Sequence, residues 1–207
     1  MFKALFKTIA VATVVAAGYI GLQTPSEATS LKAGYAAIGA ATSVPFGWID
    51  FCARYAGECP DNDLSPMDIN LSQQSLRIIS RINLFVNASI EPVSDMEHWG
   101  VIDQWDIPAD GKGDCEDYAL LKRKMLIEEG FPRQAVLMTV VKDSHNEGHA
   151  VLTVKTNKGE FVLDNLNSEV RPWASSGYRF VKRQSQGNPN VWVAVGEPTS
   201  APLTVSK

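Results

Sequence analysis

The sequence predicts an α+β domain in which a helix packs on an antiparallel β-sheet. Residues 71–89 repeat apolar side chains at intervals of three and four, which is the spacing of one helix face. Residues 114–129 carry acids in their first turn and are followed by Gly130, Phe131 and Pro132, so they predict a second helix. Short runs rich in β-branched and aromatic residues come afterwards, and helices followed by such strands indicate the α+β class.

The first 28 residues have the layout of a secretory signal peptide. Lys3 and Lys7 precede an uncharged run, residues 8–22, that is rich in Ala, Val and Ile. Small residues at Ser26 and Ala28 favour cleavage after Ala28. The alternative is an uncleaved anchor, but the apolar run is short for a bilayer span of about 20 residues. We therefore expect residues 1–28 to be a signal peptide and the protein to be periplasmic or secreted.

The remainder, residues 29–207, has the length of a single domain. It contains no second apolar run long enough to cross a bilayer, so we expect no membrane contact after signal cleavage. The formal net charge of the full chain is -4, its charges are interspersed in sign, and no basic stretch alternates with aromatic residues. This composition argues against a nucleic-acid partner, and we expect no organic cofactor.

The three cysteines of the chain fall into a pair and a single residue. Cys52 and Cys59 lie close together in a loop-like stretch with Gly and Pro, and an exported protein matures where disulfides form. We expect a local disulfide between them, which stabilises by about 2 kcal/mol because the closed loop is small; two unpaired thiols are the alternative. Cys115 is then the odd cysteine, and an unpaired thiol in an oxidising compartment indicates a special role such as catalysis.

The helix over 71–89 places Arg77 and Arg81 on the face opposite its apolar residues, so we expect it to be half exposed. The apolar positions that define its buried face are Leu71, Leu76, Ile79, Ile82, Phe85 and Val86. Residues 90–113 are irregular, with prolines, glycines and two tryptophans. Trp99 and Trp105 are expected either to pack in the core or to wall a cleft.

Cys115 lies at the start of the second helix, where unpaired backbone N–H groups and the positive end of the helix dipole favour an anion. A cysteine there tends toward the thiolate, the form that attacks a carbonyl. A buried structural cysteine is the common alternative. The polar flanks Gly113-Asp114 and Glu116-Asp117 argue against burial in an apolar core, so we interpret Cys115 as a nucleophile.

The base that activates such a thiol must be a histidine, and the chain has three. His98 lies in the irregular stretch and His145 in a polar loop tip. His149 begins a predicted strand, which is a rigid position, and we rank it first with His145 second. The predicted strands cover residues 135–141, 150–155, 160–163, 178–181 and 191–195.

Asp164 is the candidate to orient the imidazole of His149. If Asn157-Lys158 forms a two-residue hairpin loop, Lys155 faces Glu160 and apolar residues pair on the other face. In that register His149 lies diagonal to Asp164 on one face. Gly159 equally allows a three-residue loop, which sends Asp164 to the other face unless a bulge corrects it.

Three strings together resemble the family of bacterial transglutaminase-like cysteine proteinases. They are GDCEDYAL at 113–120, GHAVL at 148–152 and LDN at 163–165. The resemblance runs from about residue 45 to residue 195 and implies a papain/transglutaminase-like fold with the nucleophile helix packed on an antiparallel sheet. It also implies a triad of Cys115, His149 and Asp164. The family includes a periplasmic protease that releases biofilm adhesins. The resemblance therefore implies that the substrate is a protein, such as a surface adhesin.

The resemblance further implies calcium bound by acids around the nucleophile, here Asp114, Glu116 and Asp117. Three carboxylates within four residues suit a hard cation that prefers oxygen ligands. The alternative is that they only cap the helix and favour its dipole. Two alternative functions are compatible with the same residues. One is acyl transfer to an amine, as in transglutaminases, and the other is binding without catalysis by a module of the same fold.

Overall fold

Strands from both halves of the chain form one antiparallel sheet of seven strands in the computed structural model, which describes residues 34–196. The order across the sheet is β1-β9-β8-β4-β5-β6-β7. These strands are β1 (Ile38–Thr42), β4 (Val136–Lys142), β5 (Gly148–Thr156), β6 (Gly159–Asp164), β7 (Asn167–Pro172), β8 (Arg179–Gln184) and β9 (Trp192–Val195). Two short strands, β2 (Glu91–Pro92) and β3 (Lys112–Gly113), pair in parallel apart from this sheet. The predicted signal peptide and the residues after 196 lie outside the described residues.

Four α-helices accompany the sheet in the described part of the chain. They are α1 (Phe46–Arg54), α2 (Gln73–Ser89), α3 (Asp95–His98) and α4 (Cys115–Glu128). Both predicted helices are confirmed, as α2 and α4. The Ser72 side chain accepts a hydrogen bond of 3.1 Å from the Ser75 N–H, which caps the start of α2 and places it two residues later than predicted.

The structure differs from the predictions at the sheet edges and on α2. Strands β1 and β7 were not predicted, because β1 is exposed throughout and β7 is mostly polar, so neither shows a regular apolar pattern. Helix α1 was also not predicted. On α2, Leu76 and Phe85 were expected on the buried face but are 40% and 55% exposed. Polar Ser75 and Asn83 are buried instead, and Asn83 donates from its side chain to backbone carbonyls of β7.

The hairpin of β5 and β6 has the predicted two-residue loop. Thr156 pairs with Gly159 around Asn157-Lys158, and the ladder continues with Lys155 opposite Glu160. Gly159 has φ 117°, a backbone conformation that favours glycine, and it closes the turn without adding a third loop residue. The register predicted for the two strands is therefore confirmed.

The core lies mainly between the sheet and the helices. Trp48 of α1, Trp105 and Trp192 are fully buried there, with ring centroids 6.2–6.4 Å apart. Each such ring contributes a large buried apolar surface, so this cluster ties α1 and the loop before β3 to the sheet. A Cβ at Gly47 would lie 2.2 Å from Trp105 Cδ1, so only glycine fits against that ring.

The predicted disulfide is confirmed. Cys52 and Cys59 are bonded across a Cα–Cα distance of 5.6 Å, and Cys115 is the free cysteine. The bridge links the end of α1 to the turn that follows it. Among residues 34–196, no helix combines the length and the apolar character that a membrane span requires.

The side chain of Lys122 in α4 is buried, and its ammonium group has few contacts that offset the loss of hydration. Its residue is 0% exposed, and its Nζ makes no hydrogen bond to any described residue. The Nζ lies 5.9 Å from the centre of the Tyr118 ring. Burial lowers the pKa of Lys122 from 10.5 to about 7, and the charge of Asp164 opposes this shift only in part. The charged form of Lys122 therefore destabilises the folded protein.

Replacing Lys122 by Met should stabilise the protein near neutral pH. The pKa of Lys122 is lower in the folded protein than in the unfolded chain. The buried charge therefore destabilises the fold to its full extent below about pH 7, and this destabilisation decreases as the pH rises toward about 10.5. We expect Lys122→Met to raise the free energy of unfolding by about 1–4 kcal/mol at about pH 6 and by less at about pH 9. Urea denaturation at both pH values measures this difference.

The matched control is Lys158→Met, because Lys158 is exposed in the hairpin turn. That substitution should change the free energy of unfolding by less than about 0.5 kcal/mol at either pH. A Lys122→Met protein that is less stable than the wild type at about pH 6 would show that the charge of Lys122 is satisfied in the fold.

Candidate active site

Cys115 is the first residue of α4 and is fully enclosed. It is 1% exposed, and Asp114 and Glu116 beside it are 0% exposed. The prediction that polar flanks keep this thiol out of the core is therefore wrong. The flanking carboxylates do not reach solvent, and the Asp95 N–H at the start of α3 donates to Asp114 Oδ2 at 3.3 Å.

The Cys115 thiol has two direct polar contacts. Its S–H donates to Glu116 Oε2 at 3.1 Å, and the Ala150 N–H of β5 donates to Sγ at 3.3 Å. Burial, and then the charges of Glu116 and Asp114, raise the pKa of Cys115 well above 9, while the Ala150 N–H acts in the opposite direction. The surrounding carboxylates thus oppose the effect of the helix dipole on the thiol.

His149 and Asp164 are brought together as the hairpin register predicts. His149 Nε2 lies 2.9 Å from Asp164 Oδ1, and both side chains are buried. The second ring nitrogen, Nδ1, is also buried and makes no hydrogen bond to a described residue. Asp164 thus fixes the imidazole by one nitrogen and leaves the other without a partner among the described residues. The residue that follows His149, Ala150, donates its backbone N–H to Cys115 Sγ.

The other two histidines lie elsewhere. The His145 side chain is 80% exposed at the loop tip between β4 and β5. His98 Nε2 lies 2.8 Å from Asp110, and its ring stacks on Trp99 at 3.9 Å. The ranking of His149 over His145 therefore agrees with the burial and the contacts of the two rings.

Both carboxylate oxygens of Asp117, in the first turn of α4, accept hydrogen bonds from backbone N–H groups. Its Oδ2 accepts the Asp114 N–H at 3.2 Å, and its Oδ1 accepts the Asp106 N–H at 2.6 Å. Burial raises the pKa of Asp117 to about 9 in spite of these bonds. A Cβ at Gly113 would lie 2.5 Å from Asp117 Oδ2, so glycine is needed for this close approach. The capping role considered for the acids thus applies to Asp117.

Two further acids, Asp95 and Asp103, join the acids of α4. Asp114 Oδ2 accepts the Asp95 N–H at 3.3 Å, and Asp95 is 1% exposed. Oxygen atoms within 4.8 Å of one another are found in the set Asp95, Asp114 and Asp117, and in the set Asp95, Asp103 and Glu116. Sequence reasoning missed Asp95 and Asp103 because they are distant along the chain and lie in the irregular stretch.

This group of acids fits a hard cation. All of its donors are carboxylates, and Glu116 Oε1 is buried without a hydrogen bond to any described residue. Burial, followed by the charges of Asp114 and Asp117, raises the pKa of Glu116 well above 4.5. Burial likewise raises the pKa of Asp95 to about 6. Buried carboxylates that lie this close together resist ionisation when no cation is bound. A bound dication is the usual means of balancing their negative charge.

The two tryptophans of the irregular stretch have different environments. Trp105 is 0% exposed and packs in the core, so it does not wall a cleft. Trp99 is 47% exposed and borders a cavity of about 190 Å³ that reaches Asp117. A larger cavity of about 430 Å³ borders Asp164 and Tyr178.

Comparisons with known proteins give one family match and several similar solved structures. Residues 38–200 match the family of bacterial transglutaminase-like cysteine proteinases, BTLCP. Calcium-bound LapG of Legionella pneumophila aligns with TM-score 0.49 and 24% identity over 61% of this chain and 74% of that chain. LapG without a stated ligand gives TM-score 0.48 and 25% identity over 58% and 69% of the two chains. EGTA-treated LapG gives TM-score 0.47 and 23% identity over 60% and 70%. Comparison with curated proteins gives no significant match.

The family match covers most of the chain and includes every residue of the candidate site. It agrees with the α+β architecture, in which a helix with a cysteine at its start packs on an antiparallel sheet. The free thiol of Cys115 lies at the start of α4, and the buried His149 and Asp164 lie on the neighbouring strands β5 and β6. The chain therefore belongs to the bacterial transglutaminase-like cysteine proteinases and is a cysteine peptidase.

Proposed function

We propose that this peptidase hydrolyses peptide bonds of a protein substrate through Cys115, His149 and Asp164. The observation that carries the proposal is the bond of 2.9 Å between His149 Nε2 and Asp164 Oδ1. It leaves Nδ1 of His149 as the nitrogen that can exchange a proton with the thiol. The contact of Cys115 Sγ with the Ala150 N–H supports this, because it places the thiol against the residue that follows His149.

The reaction follows from these roles. His149 takes the thiol proton, and Sγ attacks the carbonyl carbon of the scissile peptide. The tetrahedral intermediate expels the amine, which receives its proton from His149 and leaves a thioester on Cys115. His149 then deprotonates a water molecule, which attacks the thioester and releases the acid. We assign the Cys115 backbone N–H at the start of α4 as one donor to the oxyanion.

We further propose that the acids beside the thiol hold calcium. The residues that would hold it are Asp95, Asp103, Asp114, Glu116 and Asp117. Bound calcium supplies positive charge that offsets the carboxylates next to Cys115. Calcium is favoured over magnesium because it accepts irregular sets of oxygen ligands, whereas magnesium requires near-ideal octahedral geometry.

The proposed setting is outside the cytoplasm. Residues 1–28 serve as a signal peptide, and residues 29–207 form the mature domain in the periplasm or medium. The Cys52–Cys59 disulfide supports export, because disulfides persist in oxidising compartments. By resemblance to adhesin-releasing members of the family, the proposed substrate is a cell-surface or periplasmic protein of the adhesin class.

Hydrolysis is distinguished from transamidation by the fate of the acyl group. We expect the mature protein with calcium to fragment casein and to incorporate no labelled primary amine into it. Gel fluorescence and mass spectrometry measure both products in one incubation, with Cys115→Ala as the control. Incorporation of the amine without fragmentation would show that the acyl acceptor is an amine and that the protein is a transglutaminase.

A further inference from the structure

The Asp164 carboxylate is held at both of its oxygen atoms. Oδ1 faces His149 Nε2 and also accepts the Leu166 N–H at 3.1 Å. Oδ2 accepts the hydroxyl of Tyr178 at 2.6 Å. Because the carboxylate is anchored at both ends, it cannot rotate about its Cβ–Cγ bond without breaking a short hydrogen bond.

Tyr178 reaches this position from outside the hairpin that carries His149 and Asp164. It lies immediately before β8, and Gly177 with φ 83° turns the chain into it. Its ring centroid is 5.3 Å from that of His149, with the planes tilted by 46°. One side chain therefore contacts both the proposed base and the residue that orients it.

The charges in this group favour a neutral phenol beside an ionised carboxylate. Burial, followed by the hydrogen bond and charge of Asp164, raises the pKa of Tyr178, so the hydroxyl stays a donor. Burial alone would raise the pKa of Asp164, but the bonds from His149, Tyr178 and Leu166 outweigh it and the net shift is downward. Tyr178 thus helps to keep Asp164 charged where the imidazole needs a fixed acceptor.

We propose that Tyr178 is a positioning residue of the active site, which holds the Asp164 carboxylate in the orientation that fixes His149. The proposal rests on the triad of the proposed function. Tyr178 does not touch the reacting atoms, and it acts through Asp164. The nearby cavity of about 430 Å³, which Tyr178 and Asp164 both line, gives solvent access to this side of the carboxylate. Without the hydroxyl, Oδ2 would be free to turn toward that cavity.

The test compares Tyr178→Phe with two reference variants. The substitution keeps the ring against His149 and removes only the hydroxyl. His149→Ala removes the proposed base. Tyr35→Phe is the matched control, because the Tyr35 hydroxyl donates at 2.9 Å to Thr156 O, at the other end of the same strand β5.

Two readouts are measured for each protein in calcium-containing buffer at neutral pH. The first is the second-order rate constant of iodoacetamide with Cys115, the single free thiol. The second is the proton NMR signal of His149 Nε2–H, assigned by its loss in His149→Ala. We expect Tyr178→Phe to slow alkylation roughly tenfold and to broaden this signal, since a hydrogen bond to a charged group is lost. Tyr35→Phe should change neither readout.

The outcomes separate this inference from the proposed function. If His149→Ala slows alkylation and Tyr178→Phe reacts like the wild type, the positioning role is wrong and the triad stands. If Tyr178→Phe slows alkylation but leaves the Nε2–H signal sharp, the role through Asp164 is also wrong. If His149→Ala reacts like the wild type, the proposed triad itself fails.

Discussion

Cys115→Ala and His149→Ala should each abolish peptide-bond hydrolysis while the protein stays folded. Cys115 is proposed to form the thioester, and no other free thiol exists to replace it. His149 is the proposed proton carrier, and its Nδ1 is the imidazole nitrogen left free by Asp164. Since residues of a triad act as a unit, we expect each rate to fall by at least about 10³-fold.

The measurement is the initial rate on casein or on any substrate that the wild type cleaves, with thermal unfolding as the check on folding. His145→Ala is the matched control, because His145 is exposed at the loop tip and should retain full activity. Activity that survives in Cys115→Ala would refute the proposed nucleophile. Loss of activity in His145→Ala together with its survival in His149→Ala would reassign the base.

Chelation of calcium should lower the activity strongly, and calcium should restore it better than magnesium. Without a cation, Glu116 and Asp114 oppose ionisation of Cys115, whose pKa burial already raises. Positive charge held by the acids removes this opposition. Calorimetric titration of the mature protein should show calcium binding, and EGTA should slow both hydrolysis and alkylation of Cys115 near neutral pH.

Two variants test which acids hold the ion, by calorimetry alone. Glu116→Gln and Asp95→Asn should each weaken calcium binding by at least about tenfold, because each removes a charged oxygen ligand. Glu128→Gln is the matched control: Glu128 lies at the far end of α4 with its side chain 60% exposed, and it should bind calcium like the wild type. If the wild type binds no calcium and EGTA leaves its rate unchanged, the acids only cap and enclose the helix start.

Local patterns predicted the parts of the fold that local forces determine. Helix α4 follows from its acidic first turn and its glycine stop, and the hairpin register follows from facing charges and a two-residue loop. These signals placed Cys115, His149 and Asp164 on the correct elements. The edge strand β1 escaped prediction because its residues are small and exposed, so no alternation marks it.

Contacts between distant segments decided what the sequence alone could not show. The polar flanks of Cys115 suggested an accessible thiol, but the segment that carries Asp95 folds over them and buries the whole group. Tyr178 belongs to a predicted strand, and nothing in its neighbours indicates that its hydroxyl reaches Asp164. Such residues are found only when the tertiary structure brings them together.

We propose that Cys115 cleaves a protein substrate outside the cytoplasm. The most direct measurement compares new protein N-termini on the surface and in the medium of cells with wild-type protein and cells with Cys115→Ala. We expect at least one surface protein to yield a defined new N-terminus and a released fragment only with Cys115 present. Identical sets of N-termini in the two cultures, with both proteins exported and folded, would contradict the proposed protease function.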